Sequence, residues 1–320
     1  MVDAPPDTAE GYRAAREAAA WVDLAERGVL EVTGPQRQKF LQGMLSNDVL
    51  GRAPGTGCLA ALLTVKGHIQ ALMRVLVTPE AVLLEMPQDR LSLVERTLEH
   101  YRVAAPVRFR ARPTAVLGLL GPRAREALRD AGIEVPDLPP ESHVSGQLGG
   151  LGVLVARASD LPSGFVVHVA PDGAALVREA LAHRAHRLER EALDALRVEG
   201  GCAWYGPDVT EENLLHEAGL VDSHHSFTKG CYIGQEVIAR LDARGGNVNK
   251  KLRGLRLSAA VRAGTPILAA GKDVGRVTTA AVSPRFGPIA LAYLHRDQAT
   301  PGTTLDAAGA TATVVALPME

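Results

Sequence analysis

After Gly245-Gly246 the chain changes character, and that change limits its fold more than any other feature. KKLRGLRLS, PILAAG, KDVGRVTTAAVSP, IALAYLH and ATVVAL are short apolar runs separated by Gly and Pro turns. A series of this kind predicts a small C-terminal β-barrel or sandwich. At 320 residues the chain is long for one compact core, so two or three domains are expected.

Upstream the pattern is α+β. Residues 8–20 read as an Ala-rich helix capped by Asp7 or Thr8. VLEVTG (29–34) reads as a strand, and Pro35 opens a helix through QRQKFLQGML, in the favoured first-turn position. From Gly57 to Pro87 three apolar runs, broken at Lys66-Gly67 and Pro79-Glu80, predict a β-meander. Residues 88–101 follow as a helix, and VRFRAR (107–112) alternates as a half-buried strand should. A second unit begins near Thr114 and reads strand, helix, loop, strand, strand, helix, with 134–150 as loop. A helix over 189–199 leads into the stretch 200–245. That stretch has few periodic signals, and long irregular segments in compact domains tend to carry function.

Within it, KGCYIGQE (229–236) holds the most chemistry. Cys231 precedes QEVIARLDAR, a helical pattern, and the positive end of a helix dipole favours thiolate. Lys229 adds positive charge, so Cys231 is a candidate nucleophile or metal ligand. Gly230 and Gly234 permit tight turns and close backbone approach, and Gln235 and Glu236 are placed to accept from free backbone amides. Cys58, in an apolar strand, and Cys202, beside Gly201, read as small buried hydrophobes. Three widely spaced cysteines without CxxC give neither a disulfide framework nor a four-thiolate metal site. His224-His225 match no standard ligand spacing to Cys231 and read as exposed loop. His183 and His186, three apart on a helix, are a weak metal pair. No metal site is expected.

The formal net charge of -1 provides no field for nucleic acid or anionic lipid. The N-terminal residues lack an apolar h-region, and no run approaches about 20 apolar residues, so neither a secretory signal nor a membrane span is expected. A reducing cytoplasm is the expected address.

KGCYIGQEVIAR, through Arg240, resembles the signature of the YgfZ-type folate-binding proteins, relatives of the glycine cleavage T-protein that help maintain iron–sulfur enzymes. VTGPQRQKFLQGMLSNDV (32–49), LRVEGGCAWYGPDV (196–209), EAGL (217–220) and residues 271–296 agree with the same family. The middle, 114–185, matches only in element order. The resemblance implies an α+β, three-domain ring around a central hole that takes tetrahydrofolate or a one-carbon derivative. Its parts are a folate-binding domain (1–112), a second domain with the signature loop (113–245, interleaved with the first) and the C-terminal β-barrel (246–320). Asn47, Asp48, Arg197, Glu199 and Tyr205 fall in segments that resemble walls of the folate site, and Tyr232 belongs to the signature loop.

Two departures separate this chain from the T-protein pattern. Where that pattern has two aspartates, Lys66-Gly67-His68-Ile69 is followed by Gln70 and Ala71, so a carboxylate for the reacting folate nitrogen is missing. Where it has Gly-Glu, Pro162 and Ser163 stand. The resemblance therefore implies an accessory protein for iron–sulfur client or assembly proteins, not an aminomethyltransferase. A folate-dependent transferase and a folate-independent scaffold are the alternatives.

Overall fold

The computed structural model describes residues 6–161 and 164–320, with backbone alone for 6–8. The Pro162-Ser163 departure and the proposed capping side chains lie outside what is described. In chain order the first elements are α1 (Pro6–Glu17), β1 (Ala20–Asp23), β2 (Arg27–Thr33), α2 (Arg37–Met44), β3 (Gly57–Leu63), β4 (Ile69–Val77) and β5 (Ala81–Pro87). Then come α3 (Leu91–Arg102), β6 (Arg108–Arg112), β7 (Ala115–Leu120), α4 (Ala124–Asp130), β8 (His143–Leu148), β9 (Leu151–Ala158), β10 (Gly164–Val169), α5 (Ala174–Ala182) and β11 (His186–Arg187). After α6 (Arg190–Gly200) come the short helices α7 (Leu215–Ala218) and α8 (Val221–His224), then α9 (Gln235–Asp242). The last strands are β12 (Lys250–Leu257), β13 (Pro266–Ala269), β14 (Lys272–Ser283), β15 (Gly287–His295), β16 (Thr304–Ala307) and β17 (Ala310–Val315).

Two compact units result. The two-sheet unit takes residues 14–187 and 221–237. One sheet has strand order β3-β4-β5-β2-β6, the other β11-β1-β7-β10-β9-β8. On the outer face of the first sheet, Leu41 and Met44 of α2 and Leu91, Val94 and Leu98 of α3 pack against Leu30, Leu62 and Leu84. On the second, Ala127 of α4 and Val177 and Leu181 of α5 cover Leu117, Val155 and Val167. The inner faces meet through Val29, Leu76 and Leu83 against Ala156 and Leu154. The strands buried on both faces read as continuous apolar runs rather than alternating ones for this reason.

The barrel unit takes residues 188–220 and 238–320 with the first part of α1. Its six strands close in the order β12-β15-β14-β13-β16-β17, as the turn-rich sequence predicted. Leu255, Ile267, Val277, Ala292, Leu294 and Val314 fill it.

Several elements differ from expectation. The first helix ends at Glu17, and Ala20–Asp23 is a strand because Trp21 joins the core of the six-stranded sheet. Pro35 lies in the turn ahead of α2. The expected loop over 134–150 contains β8, whose polar HVSGQL pairs with β9 as a sheet edge. VRFRAR is mostly exposed, because β6 is the edge of its sheet. His224 and His225 are buried, not exposed loop, since α8 packs along β3. His183 caps α5 while His186 lies in β11, so no helical pair forms.

Candidate functional site

The signature loop docks on the end of α2, where the last carbonyls of a helix have no partner within it. The Lys229 ammonium donates to the carbonyls of Gln42 (2.7 Å), Leu45 and Asn47 (3.0 Å). The Ile233 amide donates to Gly43 O at 3.2 Å. A cation at this end also meets the negative pole of the helix dipole. The Lys229 ammonium lies 4.8 Å from the buried Tyr232 ring, and burial pulls its pKa down to about 8.

The residues after α2 form a short strand-like link beside β3. Ser46 N donates to Ala61 O (3.0 Å), and Ser46 Oγ accepts from Ala61 N (2.8 Å) and donates to His224 O (2.6 Å). The Asn47 amide donates to Leu59 O at 2.8 Å and Ser223 O at 3.4 Å, and its carbonyl accepts from Asp48 N. Asn47 therefore holds three segments together: α2's exit, β3 and α8. Among the described residues the one hydrogen bond to the Asp48 carboxylate is a 3.4 Å contact from Gly51 N, and the carboxylate also interacts electrostatically with Lys229. Sequence reasoning passed over Ser46 and read His224 as exposed loop. A small polar residue in an otherwise apolar run was the available signal for the first.

Gly234 shows why the loop needs glycine. Its φ is +85°, and a Cβ there would stand 2.5 Å from Thr64 O in the β3–β4 hairpin. Gly67, at φ +78° in that hairpin, would place a Cβ 2.9 Å from Val237 Cβ. Gly230 has neither constraint: its φ is ordinary and a Cβ would meet nothing within 4 Å. Cys231 is exposed, and Tyr232, Ile233 and Gly234 separate it from α9. Gln235 and Glu236 open α9, and Arg240 lies in its last turn.

The hairpin carries the departure from the T-protein pattern. In the β3–β4 register Leu62 faces Ala71 and Leu63 faces Ile69, so Gln70 is the extra residue of a bulge. Bulges re-aim side chains next to functional sites. Ala71 is part of the apolar core, and Gln70 is half-buried at the bulge. Cys58 lies in the same core, and burial pushes its thiol up to about 12.

Arg197, Glu199 and Tyr205 belong to the other unit. Arg197, on α6, is buried and donates to Asp208, Asp194 (3.1 Å), Thr279 Oγ1 (3.0 Å) and Cys202 O (3.0 Å). Asp208 also accepts from Trp204 N (3.0 Å), Thr278 (2.7 Å) and Thr279 (2.6 Å). Glu199 accepts from Tyr12 at 2.8 Å and Ser283 at 2.5 Å. Tyr205 pairs with Val209 as an isolated bridge. These groups tie α6 and the 202–209 turn to the barrel strand β14. Asp208, unmarked in the sequence reading, is the hub. Among the described residues no three His, Cys, Asp or Glu side chains cluster to hold a metal, and no helix is long and apolar enough to cross a membrane.

Comparisons with known proteins agree with this architecture. Residues 4–222 match the GCVT N-terminal domain, and residues 250–319 match the glycine cleavage T-protein C-terminal barrel domain. An aminomethyltransferase of Saccharopolyspora erythraea is 31% identical over 324 residues, covering 93% of this chain and 84% of that protein. An uncharacterized protein of Haemophilus influenzae is 25% identical over 230 residues, covering 71% of this chain and 70% of the relative. The crystal structure of glycine cleavage system aminomethyltransferase T from Bartonella henselae superposes with a TM-score of 0.87 at 22% identity, covering 97% of this chain and 88% of that one.

Proposed function

The chain belongs to the glycine cleavage T-protein family, and within it we propose a cytoplasmic, tetrahydrofolate-binding accessory protein that supports assembly or repair of iron–sulfur clusters in client enzymes. The observation that carries this reading is the bulged hairpin. Gln70 and Ala71 stand where the resemblance calls for aspartates, and neither side chain can take a proton. Aminomethyl transfer loses its base there, while the amide of Gln70 keeps both a donor and an acceptor for a ligand.

A reduced pterin offers a row of N–H donors and a carbonyl. Asp48 and Gln70 have hydrogen-bonding capacity to answer it. Asn47, Arg197 and Glu199 spend theirs on hydrogen bonds within their own units. Cys231, exposed in a loop anchored by Lys229, is the group that meets a client or assembly protein. Ligation of a client's cluster iron, or exchange with a client's disulfide that releases one of its sulfurs as thiolate, needs such an accessible sulfur.

The test is calorimetric titration of the purified chain with tetrahydrofolate, paired with complementation by Cys231→Ala scored on an iron–sulfur enzyme. Saturable folate binding and failed complementation are expected. Absence of folate binding would leave the scaffold reading, and turnover of an aminomethylated lipoyl carrier would restore the transferase reading.

A further inference from the structure

The strand β6 ends the five-stranded sheet. It pairs with β2 on one side and, among the described residues, with no strand on the other. Alternate residues of such an edge turn their N–H and C=O away from the sheet, ready to pair with another chain. Ala111 carries only a methyl and is still exposed, so the strand itself, and not merely its long side chains, is open.

The side chains of β6 divide by face. Phe109 lies opposite Val32 and meets Phe40 of α2, with ring centroids 5.6 Å apart, on the helix-covered face. Arg108, Arg110 and Arg112 lie opposite Thr33, Glu31 and Val29, and Val29 belongs to the inner face. Three guanidiniums therefore share one face of the edge, on Cα atoms spaced about 6.7 Å apart. Among the described residues Glu31 is the one carboxylate paired with them, 2.7 Å from Arg110 and 3.4 Å from Arg112. Glu80 borders the same cleft as Arg112 but forms no ion pair with the row. Arg108 is exposed, and its side chain has no partner among the described residues. Arg110 keeps 75% of its side chain exposed and Arg112 49%.

Charged side chains on an edge also guard against unwanted pairing. Here they discriminate between partners. A second copy of β6 would set arginine against arginine, and like charges directly opposite destabilise a strand pair. A strand with acids at every second position sets a carboxylate opposite each guanidinium, because both strands share one repeat. A single-stranded nucleic acid is also negative. It makes no use of the edge's N–H and C=O, and β6 has no aromatic ring on this face to stack a base.

We propose that the β6 edge binds an extended acidic segment of a partner protein, added as a further strand with its alternate carboxylates facing Arg108, Arg110 and Arg112. Backbone pairing holds the segment, and the arginines select it. This surface is independent of the folate reading.

The probe is the end-capped heptapeptide TEVEVET, titrated calorimetrically into the full chain at low salt. Saturable binding below millimolar concentration is expected, with slowed amide exchange over residues 108–112. The isomer TVEEEVT has the same composition and charge but presents at most two acids on one face. It should bind at least about tenfold more weakly. Methylating one alternate set of backbone nitrogens in TEVEVET should abolish binding, and methylating the other should not, because one set faces β6 and the other faces away. Arg108→Glu breaks no side-chain contact within the described residues, so it should leave the melting temperature unchanged and weaken binding at least about tenfold. Lysine in place of the first or of the last glutamate of the peptide should restore binding to that variant in one of the two cases, which also gives the strand direction. No saturable binding at millimolar peptide overturns the proposal. So does equal binding of the isomer, the same effect from both methylated sets, undiminished affinity in Arg108→Glu, or rescue by neither lysine peptide. Displacement of the peptide by an equimolar thymidine heptanucleotide also overturns it, and would mark the row as a bare anion site.

Discussion

Gly230 and Gly234 lie four positions apart in one signature, but only one of them is conformationally required. Gly234→Ala must place a methyl on Thr64 O at a positive φ, so a loss of about 1–3 kcal/mol is expected. Gly230→Ala should stay within about 0.5 kcal/mol. Urea melts of both variants check this, and equal losses would mean that the hairpin gives way. The cysteines separate in the same manner. Cys58 is buried with its thiol pushed up to about 12, while Cys231 is exposed. Iodoacetamide followed by mass spectrometry should modify Cys231 first and Cys58 last. Early labelling of Cys58 would contradict its placement in the core.

At the scale of elements, the signature loop is a cap for α2. The sequence suggested that Lys229 activates the neighbouring thiol. In the structure its three N–H donors go to carbonyls at and just beyond the end of α2. Lys229→Met should therefore cost about 2–3 kcal/mol, the value of hydrogen bonds from a charged donor to buried carbonyls. It should also raise hydrogen exchange over residues 42–49. Unchanged exchange there, with full stability, would return Lys229 to a purely electrostatic role. The cap fixes the backbone that runs directly into Asn47 and Asp48.

At the scale of the whole molecule, the pH response follows from buried groups. Burial lowers His224 and His143 to about 4, and Glu85 is also depressed, against its burial, by Arg27, His168 and Arg74. All three folded values lie below the unfolded ones, so the unfolded chain binds more protons as pH falls. Their stabilisation is complete above the unfolded values, about 6.5 for histidine and 4.3 for glutamate, and drains below them. Melting temperature should therefore fall from about pH 6.5 toward 4, with roughly 3 kcal/mol from His224 alone, and fall further below about pH 4.3. His224→Gln should flatten the first decline. A melting temperature unchanged between about pH 7 and 5 would show that these imidazoles are already hydrated.

Local signals in the sequence settled much of this protein. The β-meander from Gly57 and the barrel or sandwich strands after Gly246 were legible because turns, alternation and apolar runs act over a few residues, and the T-protein architecture through the resemblance of the signature and its companion segments. The signature was legible as a motif, and Cys58 as core. Other features needed the tertiary structure, because they depend on pairs distant in the chain. Tyr12 meets Glu199, Arg74 meets Asp160, and His168 meets Glu85. No periodicity marks such partners, since a buried charge is tolerated only where a second segment supplies its counter-charge. The same holds for Lys229: its neighbour in sequence is Cys231, but its hydrogen bonds go to residues some 180 positions earlier, chosen by where α2 ends.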